Sequence, residues 1–434
     1  MPVWSYISSG IVQVKEQQGP VSQMFHKNNV VCAVEFGTSK VCVLIGEVGS
    51  RGELSSVIGQ GMVHAPGAVI KGEISDMERA EDALSKALED ADRSSGGQLV
   101  NCQLLTLLVS GCGIESKQSK GIVTVKNPDG VITEAEKQEA NENAKVIPLT
   151  GGREIINTSI SYYLVDNRRV SNPLRHSGRR LEAFVHVIHA VASRLENFRS
   201  AVINAGVENV RMEPVFSPLA TGIGICSDAE RENGALLIDL GAGATEYLVY
   251  FDRGVCASGV VQLGMEHVAN DLAIGLKLHI DACRRLLESG TLEKAVKEKK
   301  STLELPGVTG RMRSIPVSSF EVIVDARLRE IFEVIRCQLQ EKNAPQALGA
   351  GGILTGGGAD YFRSKELFSD TFDLDCRIGL PVEAGGADLA SPRFSAIWGA
   401  LKVAAFFQQN YVASPEGGFN KVIGKFRRFW ERGN

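Results

Sequence analysis

The sequence predicts an α/β fold built from two halves of like topology, and three segments carry that expectation. The first is Val30-Val-Cys-Ala-Val-Glu-Phe-Gly-Thr-Ser-Lys-Val-Cys-Val-Leu-Ile-Gly46, an apolar strand, a turn at Gly37-Thr38-Ser39-Lys40 and a second apolar strand. About two hundred residues later the unit returns as Ala235-Leu-Leu-Ile-Asp-Leu-Gly-Ala-Gly-Ala-Thr-Glu-Tyr-Leu-Val-Tyr-Phe251. A repeat at that distance implies two halves facing each other. The third segment, Gly351-Gly-Ile-Leu-Thr-Gly-Gly-Gly-Ala359, is a short strand that runs into a triple-glycine turn before a helix.

Each unit has residue types suited to phosphate. Glycines at 37, 241 and 243 let backbone N–H groups approach an anion with no Cβ in the way. Thr38, Ser39 and Thr245 can add hydroxyl donors and Lys40 a charge, while Gly356, Gly357 and Gly358 offer a turn that accepts phosphate or ribose closely. Glu35 and Asp239, at the strand ends, can hold Mg²⁺ through water. One such hairpin alone reads as a tight turn between core strands. Two opposed hairpins can clamp a polyphosphate from both sides.

Composition narrows the class. A chain of 434 residues with 44% apolar content can bury a sizeable core in two or more domains. Nine cysteines stand singly with no C-x-x-C pair, which points to a reducing cytoplasm and away from a disulfide scaffold or zinc site. No apolar run reaches the ~20 residues of a transmembrane helix. A net charge of −4 and a pI near 6.1 do not favour nucleic-acid binding. Residues 1–29 carry no clear periodicity and are expected to form a flexible arm.

The C-terminal stretch differs. Phe419, Val422, Ile423, Phe426, Phe429 and Trp430 share one face at helical spacing, with Lys421, Lys425, Arg427 and Arg428 on the remainder. Residues 419–434 hold five Lys/Arg and one Glu, a local +4, so the rest of the chain sums to −8. The breaker Ser414-Pro-Glu-Gly-Gly418 sets this segment apart. At ~1.5 Å per residue a helix over 419–430 is about 18 Å long, too short to cross a ~30 Å hydrocarbon layer but suited to lying on an anionic surface.

Hairpin, hairpin and Thr-Gly-Gly-Gly together resemble the actin, hexokinase and heat-shock-chaperone ATPase superfamily. Within it, the stretch from Val30 to Trp430 is similar to the bacterial cell-division FtsA family, on Val34–Glu47, Gly67–Gly72, Asn172–Ala183, Asn270–Leu276, Arg377–Pro381 and Pro392–Gly399. Met212-Glu-Pro-Val215 with Leu219-Ala220 resembles the family's first connecting helix, and Pro392–Gly399 its second. The resemblance implies an actin-like two-lobed fold with an inserted α+β subdomain in the first lobe and a C-terminal amphipathic helix. It places the first lobe at 30–225 with its insertion at about 109–190, and the second at 226–390. A return helix follows at 391–410, a linker at 411–418 and the membrane helix at 419–434. Strands at Gly121–Val125, Ile155–Val165 and Leu181–His189 and a helix at Thr133–Lys145 fit the insertion independently.

The resemblance further implies ATP and Mg²⁺ as cofactors and self-assembly into filaments. It also implies a peripheral position on the cytoplasmic face of the inner membrane at the division site. The expected partners are other division proteins and the tail of the tubulin-like FtsZ, the latter meeting residues about 268–340. Glu213 resembles the superfamily's water-positioning acid. Several positions depart from the family pattern. Glu35 and Glu246 stand where Asp is usual, and Ala242 and Ala244 replace more permissive residues. Counting back from Gly290 puts Cys283 and Leu286 where the family has a ribose- and base-binding Glu and Lys, with Arg284 or Arg285 as substitutes if the helix is shifted by one. These departures weaken nucleotide recognition and hydrolysis, so an adaptor with at most a slow ATPase is expected. The alternatives are a PilM-type pilus-assembly protein and a sugar or acetate kinase of the same superfamily.

Three lesser signals remain. His186 and His189 sit at odd spacing in a strand pattern and so on opposite faces, which opposes a metal pair. Arg311 and Arg313 can meet an acidic partner, and Ile331, Ile335 and Leu339 mark a core-facing helix.

Overall fold

A computed structural model describes residues 29–50, 52–111, 113–381 and 389–412. The arm and the basic segment 419–434 lie outside them. Lobe one opens with β1 (Val30–Phe36), β2 (Lys40–Val48) and β3 (Leu54–His64), then the short pair β4 (Val69–Ile70) and β5 (Glu73–Ile74), α1 (Met77–Ser95) and β6 (Cys102–Val109). An insertion follows, made of β7 (Glu115–Thr124), α2 (Glu134–Lys145), β8 (Arg153–Val165), β9 (Arg168–Val170) and β10 (Arg180–Val191). The chain returns through α3 (Ala192–Asn204) and β11 (Arg211–Phe216), and α4 (Ser217–Ile225) crosses to lobe two.

Lobe two holds α5 (Asp228–Asn233), β12 (Ala235–Leu240), β13 (Thr245–Phe251) and β14 (Gly254–Val261). Next come α6 (Met265–Leu276), α7 (Ile280–Glu288), α8 (Thr291–Lys297), β15 (Thr302–Pro306) and β16 (Met312–Pro316). The lobe closes with α9 (Val317–Glu341), β17 (Gly352–Thr355), α10 (Ser364–Phe372) and β18 (Cys376–Ile378). Finally α11 (Ser395–Val412) packs back on lobe one, its Ile397, Leu401 and Ala404 buried against Ala33, Leu44 and Leu108.

The repeat is visible in the sheets. Lobe one runs β11-β6-β1-β2-β3 and lobe two β14-β13-β12-β17-β18. In each, three consecutive strands (β1-β2-β3 and β12-β13-β14) are antiparallel and two more (β6 and β11, β17 and β18) join the first of them in parallel, so the two sheets share one topology. Both central strands are buried along nearly their whole length, which is why they read as continuous apolar runs. In α1 the alanines and leucines at 80, 83, 84, 87, 88 and 91 are buried, while Asp76 caps its start by accepting from Arg79 N at 3.0 Å. The 25-residue α9 buries Ile331 and Ile335 as their spacing predicts.

The insertion is a four-stranded sheet, β7-β10-β8-β9, with α2 on one face through Ala140 and Ala144. Its outer strand begins at Glu115, six residues before the expected Gly121, because Glu-Ser-Lys-Gln-Ser-Lys is polar and carries no apolar alternation. That polar stretch docks on lobe two: Ser116 Oγ donates to Ser258 O at 2.8 Å and Gln118 Nε2 to Cys256 O at 2.7 Å. His186 and His189 are both buried and separately engaged, His186 with Ser258 Oγ at 2.8 Å and His189 with Arg153 at 2.8 Å. Burial drives the His186 imidazole down to about 3, so it stays neutral.

One expectation is corrected. Met212–Val215 is not part of a connecting helix but of the edge strand β11, parallel to β6. Pro214 is tolerated there because an edge strand has ladder bonds on one side only. The connecting helix is α4, which starts at Ser217 with Pro218 in its first turn. It crosses α11 where Gly224 meets Gly399: a Cβ on Gly224 would lie 2.8 Å from Gly399 Cα.

Candidate functional site

The two like hairpins point their turns at one another across the gap between the lobes. Each is closed by the same bond, Gly37 N to Lys40 O at 2.9 Å and Gly241 N to Ala244 O at 3.1 Å. Between them lies a cleft of about 350 Å³, floored by β1, β12 and the turn after β17. Its walls include Glu35, Gly37, Thr38, Ser39 and Lys40 from lobe one, Asp239, Gly241 and Gly243 from the second hairpin, and Gly356, Gly357 and Gly358. A Cβ on Gly243 would sit 3.1 Å from Cβ and Cγ2 of Thr38, so the turns approach to within a side chain of each other. Gly356 takes φ +82°, and a Cβ there would meet the Leu240 backbone at 2.7 Å and the Asp239 carboxylate. Gly357 has nothing within 4 Å of where a Cβ would be, leaving its backbone open.

Charge in the cleft is strongly biased to acid. Lys40 Nζ is 3.7 Å from Glu35 Oε2, donates to Arg393 O at 2.7 Å and lies 4.7 Å over the Phe394 ring. Glu35 Oε2 is buried and accepts no hydrogen bond. Burial raises the Asp239 carboxyl to about 7, Glu35 adds to the shift and Lys40 opposes it. Burial also pushes Glu246 well above the carboxylate range, offset in part by the hydrogen bond its Oε1 accepts from Gly111 N at 2.6 Å. Glu246 thus ties the cleft floor to the first residues of the insertion instead of pointing at the turn.

The donor set fits a phosphate chain with a hydrated divalent cation. Glycine amides line both sides, Lys40 is the ammonium, and Glu35 with Asp239 offers carboxylate oxygens whose mutual repulsion a dication would relieve. No group of three or more His, Cys, Asp or Glu able to hold a metal occurs among the described residues, so the protein side of such a site is limited to carboxylates acting through water.

The Asp239 shift has a testable sign. A carboxyl whose pKa is about 7 when folded, against an ordinary 3.8, keeps in the folded chain a proton that the unfolded chain has lost. Stability from this group is therefore full below about pH 4 and declines as pH rises to about 7. Asp239→Asn should remove that slope, raising Tm by about 1–3 °C at pH 8 and less at pH 5 in calorimetric scans without ligand.

Three sequence expectations move. Thr245 does not face the cleft: it is fully buried and its Oγ1 donates to Leu263 O at 2.8 Å, because the first position of β13 turns toward the core. Glu213 does not reach the cleft either. On β11 it lies two residues from Arg211 on the same strand face and accepts its guanidinium, and burial raises its carboxyl while Arg211 lowers it. The count back from Gly290 is off by one. Cys283 and Leu286 are seated in the lobe-two core, which turns Arg284, Leu287 and Glu288 to the cleft side. Arg284 is held there by Glu266 and by Asp281 at 2.8 Å. Among the cleft residues that escaped the sequence reading are Arg393 and Asp360, paired at 3.0 Å. Arg393 follows Pro392, whose carbonyl accepts from Gly356 N at 3.2 Å, a link across 36 residues that local spacing does not reveal.

Comparison with known proteins agrees with this geometry. The family described as "SHS2 domain inserted in FTSA" matches residues 111–189, and "Cell division protein FtsA" matches residues 236–399. The cell division protein FtsA of Neisseria meningitidis serogroup B is 29% identical over 402 residues, covering 91% of this chain and 94% of its own length. That of Borreliella burgdorferi is 30% identical over 379 residues, covering 86% and 90%. Among solved structures, the PilM–PilN type IV pilus biogenesis complex is similar with a TM-score of 0.56 at 16% identity, covering 86% of this chain and 98% of that chain. MreB5 of Spiroplasma citri bound to ADP gives 0.50 at 15%, covering 90% and 100%. These two likenesses concern the fold, the expected actin-like pair of lobes. With a matching insertion, a matching second lobe and relatives aligned over most of their length, the chain belongs to the FtsA family of cell division proteins.

Proposed function

We propose that this protein binds Mg-ATP weakly in the interlobe cleft and assembles on the cytoplasmic face of the inner membrane. There it would tether FtsZ filaments to the bilayer through residues 419–430. The observation that carries the reading is the opposition of two like glycine turns around one cleft, with Lys40 and two acidic strand ends inside it. The MreB5 relative of the same fold has been solved with ADP and with AMPPNP. Glu213, the acid expected to position an attacking water, is paired with Arg211 on β11 and does not line the cleft, which favours a scaffold over a rapid ATPase. A kinase reading has no observation in its favour, and the PilM likeness is one of fold.

Residues 268–340 present Ile274, Val308, Met312 and Val322 to solvent, beside exposed Arg311 and Arg313, a surface suited to a partly apolar, acidic FtsZ tail. No helix among the described residues is long and apolar enough to cross a membrane. The basic segment can hold the membrane by lying on it. A buried Phe or Trp contributes ~1.5–3 kcal/mol, so one copy binds reversibly and a filament tightly through effective concentration. Co-sedimentation with vesicles containing phosphatidylglycerol, with and without ATP, tests this. The intact chain should pellet, and Phe426→Glu and Trp430→Glu should each lower the bound fraction about tenfold or more. Equal pelleting of all three would overturn the tether, and no heat of Mg-ATP binding at millimolar nucleotide would overturn the cofactor.

A further inference from the structure

Away from the cleft, one loop concentrates positive charge. Residues 166–180 hold five arginines and one aspartate, a local +4 equal to that of residues 419–434, so the rest of this −4 chain sums to −12. The stretch runs from the β8–β9 turn through β9 and the next loop into β10, along one end of the insertion. Its backbone is pinned: Ile132 N donates to His176 O at 2.9 Å, Arg175 N to Ile132 O at 3.1 Å and Gly178 N to Gly130 O at 2.9 Å. Asp166, the one acid, accepts from Arg179 N at 3.1 Å and from Arg180 N at 2.9 Å. Its carboxylate therefore orders the loop instead of neutralising a guanidinium. Two arginines are used within the fold. Arg169 pairs with Asp252 at 3.5 Å and lies 4.3 Å over the Tyr162 ring, and Arg180 pairs with Glu182 at 3.0 Å. Arg168, Arg175 and Arg179 are exposed, and they pair with no carboxylate among the described residues.

We propose that Arg168, Arg175 and Arg179 form a second membrane contact, taking the phosphates of anionic lipid headgroups while residues 419–430 bind the same bilayer. Position carries this. Ser171 and Asn172 line one cavity together with Phe407 of α11. Arg168 and Arg175 stand three residues to either side of that pair, at most ~11 Å of extended chain away. Helix α11 ends at Val412, five residues or about 8 Å past Phe407. Residues 413–418 span up to ~20 Å, so a bilayer that holds the following segment passes within reach of the loop. Composition favours lipid over protein. A protein interface is built around an apolar centre, and no exposed large apolar side chain falls within 166–180. Guanidinium forks presented from a held loop suit phosphate oxygens.

The consequence is orientation. A terminal segment on a short linker ties the body to the surface but leaves it free to turn, and a second contact on the insertion fixes which way it faces. Each arginine near an anionic surface contributes roughly fivefold in affinity, so the three supply up to about a hundredfold. That contribution acts within a Debye length, ~10 Å at 0.1 M salt, and fades as salt rises. This inference rests on the reading of residues 419–430 as membrane-binding.

Titration of the full chain with vesicles of phosphatidylglycerol and phosphatidylcholine tests it. Arg168→Gln, Arg175→Gln and Arg179→Gln combined should raise the lipid needed for half-binding at least about tenfold in about 0.05 M KCl, and under about twofold in about 0.5 M KCl. Arg168→Lys, Arg175→Lys and Arg179→Lys combined should stay within about threefold of the parent, since charge is kept. Benzoylphenylalanine in place of Ser177, exposed in the same loop, should cross-link to lipid. An equal lipid requirement for the Gln variant overturns the contact. So does a Ser177-position cross-link to a second copy or to added RNA in place of lipid. The two readings fail separately. If Phe426→Glu binds vesicles as the parent does while the Gln variant does not, the terminal segment falls and the arginine contact stands. If the Gln variant binds as the parent does while Phe426→Glu does not, the contact falls and the tether stands.

Discussion

Gly399→Val should destabilise the protein by about 3 kcal/mol or more, the largest loss expected from any single methyl-scale change in the hinge. Gly399 is the point where α11 crosses α4, the two helices that connect the lobes. A Cβ there would lie 3.0 Å from Thr221 N and inside the carbonyl of Ala220. Those are backbone atoms of a helix, and they cannot rotate away as a side chain end would. The partner position is as tight, with a Gly224 Cβ 2.8 Å from Gly399 Cα and 3.0 Å from its N. Helix propensity runs the other way, since valine is the better helix former by a few tenths of a kcal/mol, so the crossing itself must carry the loss. Urea unfolding of the intact chain, followed by far-UV circular dichroism, measures it. Gly275→Ala in α6 is the control: its Cβ meets only Ile323 Cδ1 at 3.2 Å, and the change should be neutral or stabilising by up to ~1 kcal/mol. An equal loss in both variants would mean that the α4–α11 contact is not special.

The hinge also shows which parts of the fold a sequence discloses. The hairpins were legible because Val30–Phe36 and Ala235–Leu240 are buried on both faces, so burial and sequence carry the same continuous pattern. The long α9 was legible because its face repeats at helical spacing. What stayed hidden depends on contacts between distant segments. Met212–Val215, assigned to a connecting helix by resemblance, is a strand because its one-sided edge position tolerates Pro214. The polar opening of β7 gave no alternation, since its side chains serve as hydrogen-bond donors to β14 and not as core.

The same distinction holds in the cleft. Glycine turns announce themselves, and Glu35, Lys40, Asp239 and Gly356–Gly358 all line it. Side-chain direction at a strand end does not, and so Thr245 and Glu213 went to the core and to Arg211. The α7 register was decided by packing. Cys283 and Leu286 are the members of that turn buried in the core, and burying them leaves Arg284 and the half-buried Leu287 on the cleft side.

Gly243→Val should weaken Mg-ATP binding at least about a hundredfold, near 2.7 kcal/mol, while leaving the fold intact to within ~1 kcal/mol. Unlike Gly356, Gly243 does not occupy the left-handed region, so a side chain brings no backbone strain. What it brings is a methyl-bearing carbon 3.1 Å from Cβ and Cγ2 of Thr38, with Oγ1 nearer still, in the gap where the two turns face each other. Thr38 can rotate to admit one Cβ, but the two γ-methyls of valine have no second direction to take and must part the turns. Amides that converge on one phosphate chain are cooperative in position: parting the turns by an ångström lengthens every contact from one side at once. Titration calorimetry of the variant and parent separates this from unfolding, since the loss should appear in affinity without a matching fall in Tm in the absence of nucleotide. Gly356→Val, strained at φ +82°, should lose both together. Binding by Gly243→Val within threefold of the parent would show that nucleotide, if held at all, does not sit between the two turns, because no arrangement bridging them could tolerate the added side chain.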